Sequence, residues 1–345
     1  MRNPTTTVAV GLGLVGAVVA TVLGFLTFGV QATAAPDHLP LAVAVPQDGP
    51  PQLGEAAGRI ASQGGDAVDW QVTGLAHARD LLEDKEIYGI LELHPGPALT
   101  IVTSGAVNPQ GTQVAQQVLT GAAQGLAGAL AQQNLRVAPP KVETLHAAST
   151  AGRTAPLAAS ALLWIGGLVA AMAFGLLVIR SGVRARTGAR LTLVVSVSVL
   201  ATGAVAGLMK LWDSSLDLGW DVLGFMLLTA VAFASVQGAL VRLLHLRAAA
   251  ILGPMYLLAP AVAGTVPEML DPAYRTLLWS WTPFRFSTEG LRSLLQGVPD
   301  APDVRIGVIV LVSMAVVGLV VMVWPVRRQE REVPADTREL VSSGS

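Results

Sequence analysis

Between Ala263 and Arg292 the chain reads AGTVPEMLDPAYRTLLWSWTPFRFSTEGLR, a stretch where charged residues meet prolines and aromatic rings. Arg285, Glu289 and Arg292 stand at (i, i+4) and (i, i+3) spacing, so on a helix they can form ion pairs. Such pairs contribute about a few tenths of a kcal/mol each. Little else in the chain suggests chemistry. No G-x-x-x-x-G-K-[ST] run occurs, so the chain has no P-loop and is not itself an ATPase. There is no G-x-S-x-G nucleophile motif, and the absence of cysteine removes disulfides, thiol catalysis and thiolate metal sites together. Four of the five histidines, His38, His77, His94 and His146, fall within residues 31–156, and none shows H-x-x-x-H or H-E-x-x-H spacing. Asp66, Asp69, Asp80, Glu83, Asp84 and Glu86 read as a solvated acidic face around turns and helix ends. An enzyme is the least favoured class, with no catalytic residue, metal or cofactor expected in this chain.

The elements that must position the 263–292 stretch are membrane spans. Of 345 residues, 52% are hydrophobic and only 13% charged, and mean hydropathy is +0.58, against about a quarter charged in soluble domains. Net charge is −1, which offers no basic surface for nucleic acid. Six apolar runs, 8–30, 157–179, 191–209, 222–241, 249–266 and 306–325, are read as spans, since a helix of about 20 residues crosses the hydrocarbon core. The first is read as a retained anchor; Ala32 and Ala34 form an A-x-A-like site that supports the rival reading of a cleaved signal. None of the six contains Asp, Glu or His, which argues against a proton relay. Pro267, Glu268, Asp271 and Pro272 end the fifth run. Beyond them Tyr274, Leu277, Leu278, Trp279, Trp281, Phe284 and Phe286 predict a re-entrant or interfacial segment over 267–300. Gly166 and Gly167, and Gly203 and Gly207 at small-xxx-small spacing, are candidate helix contacts.

Residues 31–156 are expected to form an α+β domain outside the bilayer. Strands are predicted at Leu39–Val45, Val68–Thr73, Ile87–Leu93, Ala98–Thr103 and Val137–Leu145. The stripes Leu53, Ala56, Ala57, Ile60 and Leu75, Ala78, Leu82 predict helices between them, and Asn108–Pro109 opens a longer one to about Asn134, with Gly121, Gly125 and Gly128 along it. This order implies helices on one face of a mixed sheet. Arginines cluster at Arg180, Arg184, Arg186 and Arg190, at Arg242 and Arg247, and at Arg327, Arg328 and Arg331, whereas the 210–221 loop carries Lys210 alone. The positive-inside rule then puts both termini in the cytoplasm and residues 31–156 outside. The arginine and alanine bias suggests a bacterial plasma membrane. The domains are therefore 1–30 (N-terminus and first span), 31–156 (extracytoplasmic), 157–326 (five spans) and 327–345 (cytoplasmic tail).

Gly264, Pro267, Pro283, Glu289, Gly290 and Arg292 match a Gly-x-x-Pro step, a W-x-P and an E-G-L-R that resemble the last third of type-2 ABC exporter permeases. The exterior segment, with Val45–Gly49, LLEDKEIYGILELHP at 81–95 and Leu99–Pro109, resembles the YhgE/Pip-like branch of that superfamily. The resemblance implies a permease subunit, a homo- or heterodimer in membrane lipid. It would move a lipidic or amphipathic substrate with ATP hydrolysed by a separate ATPase subunit. It further implies an exterior gate at Gly264, Pro267, Glu268, Pro283, Glu289 and Arg292, and an ATPase-coupling loop at Arg180, Arg184, Arg186 and Arg190. The alternative is a non-transporting envelope or secretion-accessory protein whose exterior domain binds a partner.

Overall fold

The computed structural model describes residues 4–96, 98–132, 138–182 and 186–324. It is a polytopic helical membrane protein with a small sheet domain. The first helix, α1 (Pro4–Ala32), contains the uncharged run Gly13–Ala32, about 30 Å long at 1.5 Å per residue. It stands almost clear of the rest of the chain, as an apolar helix does when lipid is its solvent. Its C-terminal end is tied down, with Val30 buried and the Phe25 carbonyl accepting from the Tyr274 hydroxyl at 3.0 Å.

The sheet domain follows as β1 (Leu39–Val45), α2 (Pro51–Ala61), β2 (Val68–Gly74), α3 (Leu75–Glu83), β3 (Ile90–His94), β4 (Ala98–Ser104), α4 (Pro109–Gln132) and β5 (Lys141–Leu145). The strand order is β2-β1-β3-β4-β5, parallel except for the antiparallel β3–β4 pair. The third predicted strand starts later than Ile87. Lys85 turns the chain with φ +62°, and Ile87 and Tyr88 are buried before the ladder begins. Val137, at the predicted start of the last strand, lies outside the described residues.

The expectation of helices on one face is corrected. Val68 and Trp70 share a groove with α2 and α4, while Arg79 of α3 bonds Glu92 and Glu143 on the opposite pleat at 2.8 and 2.9 Å. The strand order supplies the reason. From β1 the chain steps outward to β2 and then back past β1 to β3, and right-handed crossovers in opposite directions place α2 and α3 on opposite faces. With both faces covered, β1 is buried from Leu41 to Ala44.

After β5 come α5 (Thr150–Ser181), capped by the Ser149 hydroxyl on the Gly152 amide at 2.9 Å, then α6 (Thr187–Trp212), α7 (Trp220–Leu244) and α8 (Ala249–Ala263). A single turn α9 (Pro272–Tyr274) and a π-turn over Arg275–Trp279 lead to α10 (Pro283–Leu295) and α11 (Pro302–Val323). Among the described residues five helical stretches are long and apolar enough to cross a membrane, where six were expected. The fourth and fifth predicted spans lie in one stretch, Trp220–Ala263, bent at His245 (φ +55°) and a 3₁₀ turn over His245–Ala248. By itself α8 has 15 residues, about 22 Å and shorter than a typical span.

Among the helices of more than 20 residues α7 is the most enclosed, packed against α5, α6, α10 and α11. Close approach is made by Gly318, where an added Cβ would sit 2.6 Å from the Ser235 carbonyl carbon, and by Gly290 against the Phe225 ring. Gly203 and Gly207, despite their spacing, have nothing within 4 Å of their Cβ positions. Gly318→Val is therefore expected to force α7 and α11 apart at a cost of about 1–3 kcal/mol. Gly203→Val should leave thermal unfolding of the purified protein nearly unchanged. The two unfolding curves check this directly.

Candidate functional site

The sheet domain is not a separate bead on the membrane helices. Its core includes Val266 and Met269 from beyond α8, and the Asp37 amide donates to the Glu268 carbonyl at 2.8 Å. Pro267 opens the short 3₁₀ turn that makes this insertion. Three polar side chains then join the domain to the last third of the chain. Lys85 Nζ, 10% exposed, donates to Ser293 Oγ at 2.6 Å and to Asp303 Oδ2 at 2.8 Å. The Tyr88 hydroxyl donates to Glu268 Oε2 at 2.7 Å. Asn108, whose Oδ1 caps α4 by accepting from the Gln110 amide, turns its Nδ2 to Glu289 Oε1 at 3.2 Å.

Between these contacts lies a cavity of about 200 Å³, lined in part by Pro267, Glu268, Trp279, Arg285, Glu289 and Asp303. The helix supplying Arg285 and Glu289 is fixed from below. Phe284 of α10 is fully buried in the bundle, its ring 4.9 Å from Trp164 and 5.5 Å from Phe233. Of the two alternatives for this segment, α10 is inserted among the helices, whereas Leu277 and Trp281 remain on the exposed face.

Burial alone would raise the Glu289 carboxyl, but the charges of Arg292 and Lys85 and hydrogen bonds from Arg292 and Asn108 outweigh it and hold it low. Burial, and then the Glu268 carboxylate, raise the Tyr88 phenol, which keeps it a donor. The sign of the pH dependence follows. An unfolded glutamate titrates near 4.3, so the stabilisation from Glu289 is complete above that value and is lost as pH falls through its lower folded pKa. Wild type is expected to lose thermal stability below about pH 4 more steeply than Glu289→Gln, measured in the same detergent.

Of the predicted gate residues, Pro267, Glu268 and Glu289 line the cavity, and Arg292 pairs with Glu289. Gly264 follows the last residue of α8, and Pro283 is the first residue of α10. Sequence reasoning missed Lys85, Tyr88, Asn108 and Asp303 as site residues, although the first three fall in the 81–95 and 99–109 segments already singled out.

The arginine loop is divided. Arg180 and Arg186 are exposed at helix ends, and Arg184 lies outside the described residues. Arg190 instead donates to the Met322 carbonyl at 3.2 Å, beside Arg242, which reaches the Val321 carbonyl at 2.6 Å. Together they satisfy the open carbonyls at the C-terminus of α11, where positive charge is favoured.

No family model matches the chain, and no curated protein or solved structure matches it. The functional reading therefore rests on the site itself and on the sequence motifs.

Proposed function

We propose that the chain is the membrane-spanning permease subunit of an ABC-type exporter, working as a homo- or heterodimer with a separate ATPase subunit and moving a lipidic or amphipathic substrate. The observation that carries this reading is the convergence of Pro267, Glu268 and Glu289 with Lys85, Tyr88 and Asn108 on one polar cavity, where the sheet domain meets the re-entrant helix. With Val266 and Met269 keeping the domain anchored, the polar contacts of Lys85, Tyr88 and Asn108 can open without unfolding either side. The apolar runs hold no Asp, Glu or His to drive transport, so energy comes from a partner. The exposed Arg180 and Arg186 remain the surface offered to an ATPase, with Arg190 kept for α11. In this reading the sheet domain lies outside a bacterial plasma membrane and both termini lie in the cytoplasm.

A second reading, a non-transporting envelope protein, is favoured by one feature. A groove of about 610 Å³ runs between α2 and α4, with Arg59, Gln63, Trp70, Gln117 and Leu126 along it. Its position on the sheet domain suits a partner-binding role. Affinity purification in mild detergent, followed by mass spectrometry and an ATP hydrolysis assay, separates the two. A stoichiometric P-loop ATPase that turns over ATP supports the permease, and its loss in the double variant Arg180→Glu, Arg186→Glu would locate the docking surface. Recovery of an envelope or secretion partner without an ATPase overturns the permease reading.

A further inference from the structure

The charges around the junction cavity are not all used. Lys85 is paired with Asp303, and Glu289 with Arg292. Arg285 and Glu268, which line the same cavity, have no ion-pair partner among the described residues. Glu268 accepts one hydrogen bond on Oε2, from Tyr88, and its Oε1 has no hydrogen-bond partner among the described residues. The Arg285 guanidinium lies 3.5 Å from the Trp279 ring centroid and 4.5 Å from that of Phe286, half-buried and without an acceptor. Stacking satisfies the face of a guanidinium but leaves its in-plane N–H donors free. Trp279 is itself held by its Nε1 on the Thr265 carbonyl at 3.2 Å, so the stack is fixed in place. The Asp303 and Glu289 carboxylates attract the guanidinium through space without bonding it, so a partly desolvated cation keeps open in-plane donors.

A planar fork of N–H groups matches the paired oxygens of a carboxylate or a phosphate, and phosphate is the anion borne by bilayer phospholipids. The setting selects what carries it. At about 200 Å³ the cavity accommodates a polar headgroup but not an acyl chain, while Leu277 and Trp281, next to Trp279 in the chain, present exposed apolar surface. We infer that the junction cavity binds the phosphate headgroup of an amphiphile, with Arg285 holding the phosphate and the free Glu268 oxygen meeting an ammonium or hydroxyl beyond it. The chain of the amphiphile then lies over Leu277 and Trp281. This inference deepens the lipidic-substrate reading and rests on it.

The test uses the purified full-length protein in a phosphate-free maltoside detergent, with thermal unfolding read during titration. The probes are dihexanoyl-phosphatidylethanolamine, dihexanoylglycerol and inorganic phosphate. The phosphatidylethanolamine is expected to raise the midpoint saturably, and dihexanoylglycerol to leave it unchanged. Arg285→Gln should weaken the apparent affinity about tenfold or more, the loss of one charge-assisted contact. If that variant does not fold, Arg285→Lys and Trp279→Leu keep a cation but lose the stacked plane, and each should bind more weakly than wild type. No shift in wild type, or an equal shift in all the variants, overturns the site. Inorganic phosphate matching the lipid would make it a free-anion site and overturn the headgroup assignment. No ATPase is present in this assay, so headgroup binding can succeed even where co-purification of an ATPase fails, and the two failures are told apart.

Discussion

Phe284→Ala is expected to cost about 3–5 kcal/mol, among the largest effects of any single truncation in the membrane half. The side chain is fully buried and completes a three-ring cluster with Trp164 and Phe233, whose rings meet edge-on at 5.0 Å. Lipid surrounds this bundle, so the loss is one of packing contacts more than of transfer from water. The same ring anchors α10 in the bundle. The expected result is a lower thermal midpoint together with faster hydrogen exchange in residues 283–295. A wild-type exchange profile in α10 would show that the cluster does not hold the helix.

Glu289→Ala is expected to be nearly as severe, about 3 kcal/mol, because it leaves the Arg292 cation without its carboxylate. Arg292 is 3% exposed, its Nε has no partner among the described residues, and Glu289 is its ion-pair partner. The effect should be largely reversed in the double variant Glu289→Ala, Arg292→Leu, which removes the stranded charge. A double variant as unstable as Glu289→Ala would mean that the Asn108–Glu289 hydrogen bond carries the energy, and Asn108→Ala would then show the same loss.

Local features of the sequence were the most legible. The Glu289–Arg292 pair follows from (i, i+3) spacing, and the α2 stripe of Ala56, Ala57 and Ile60 is buried as its period required. The Asn108–Pro109 start of α4 is also where it was expected. What spacing could not supply is the identity of partners distant in sequence. Lys85 meets Ser293 and Asp303 more than 200 positions away, and nothing around Lys85 distinguishes it from a solvated turn lysine until the chain is folded. The same limit applies to the glycines. A small-xxx-small pair marks a smooth helix face but not what lies opposite, so Gly203 and Gly207 face open space while the isolated Gly318 meets a backbone. The placement of α3 needed the strand order, which hydrophobic stripes do not encode.

Arg190 shows how a charge cluster can mislead about function. Four arginines within eleven residues read as one docking surface, yet Arg190 is spent on the carbonyl end of α11. Of the cluster's described residues, Arg180 and Arg186 stay exposed.

The sheet domain is joined to the last third of the chain at a cavity expected to face outward, and because the chain has no cysteine this can be measured without background. The measurement is cross-linking of a Lys85→Cys, Asp303→Cys pair by a short, membrane-impermeant bis-thiol reagent added to intact cells. These two side chains touch in the structure and Asp303 is partly exposed, so the expected result is an intramolecular cross-link without permeabilisation, lost when either cysteine is omitted. No cross-link despite labelling at both positions would contradict the junction, and labelling only after permeabilisation would contradict its placement outside the membrane.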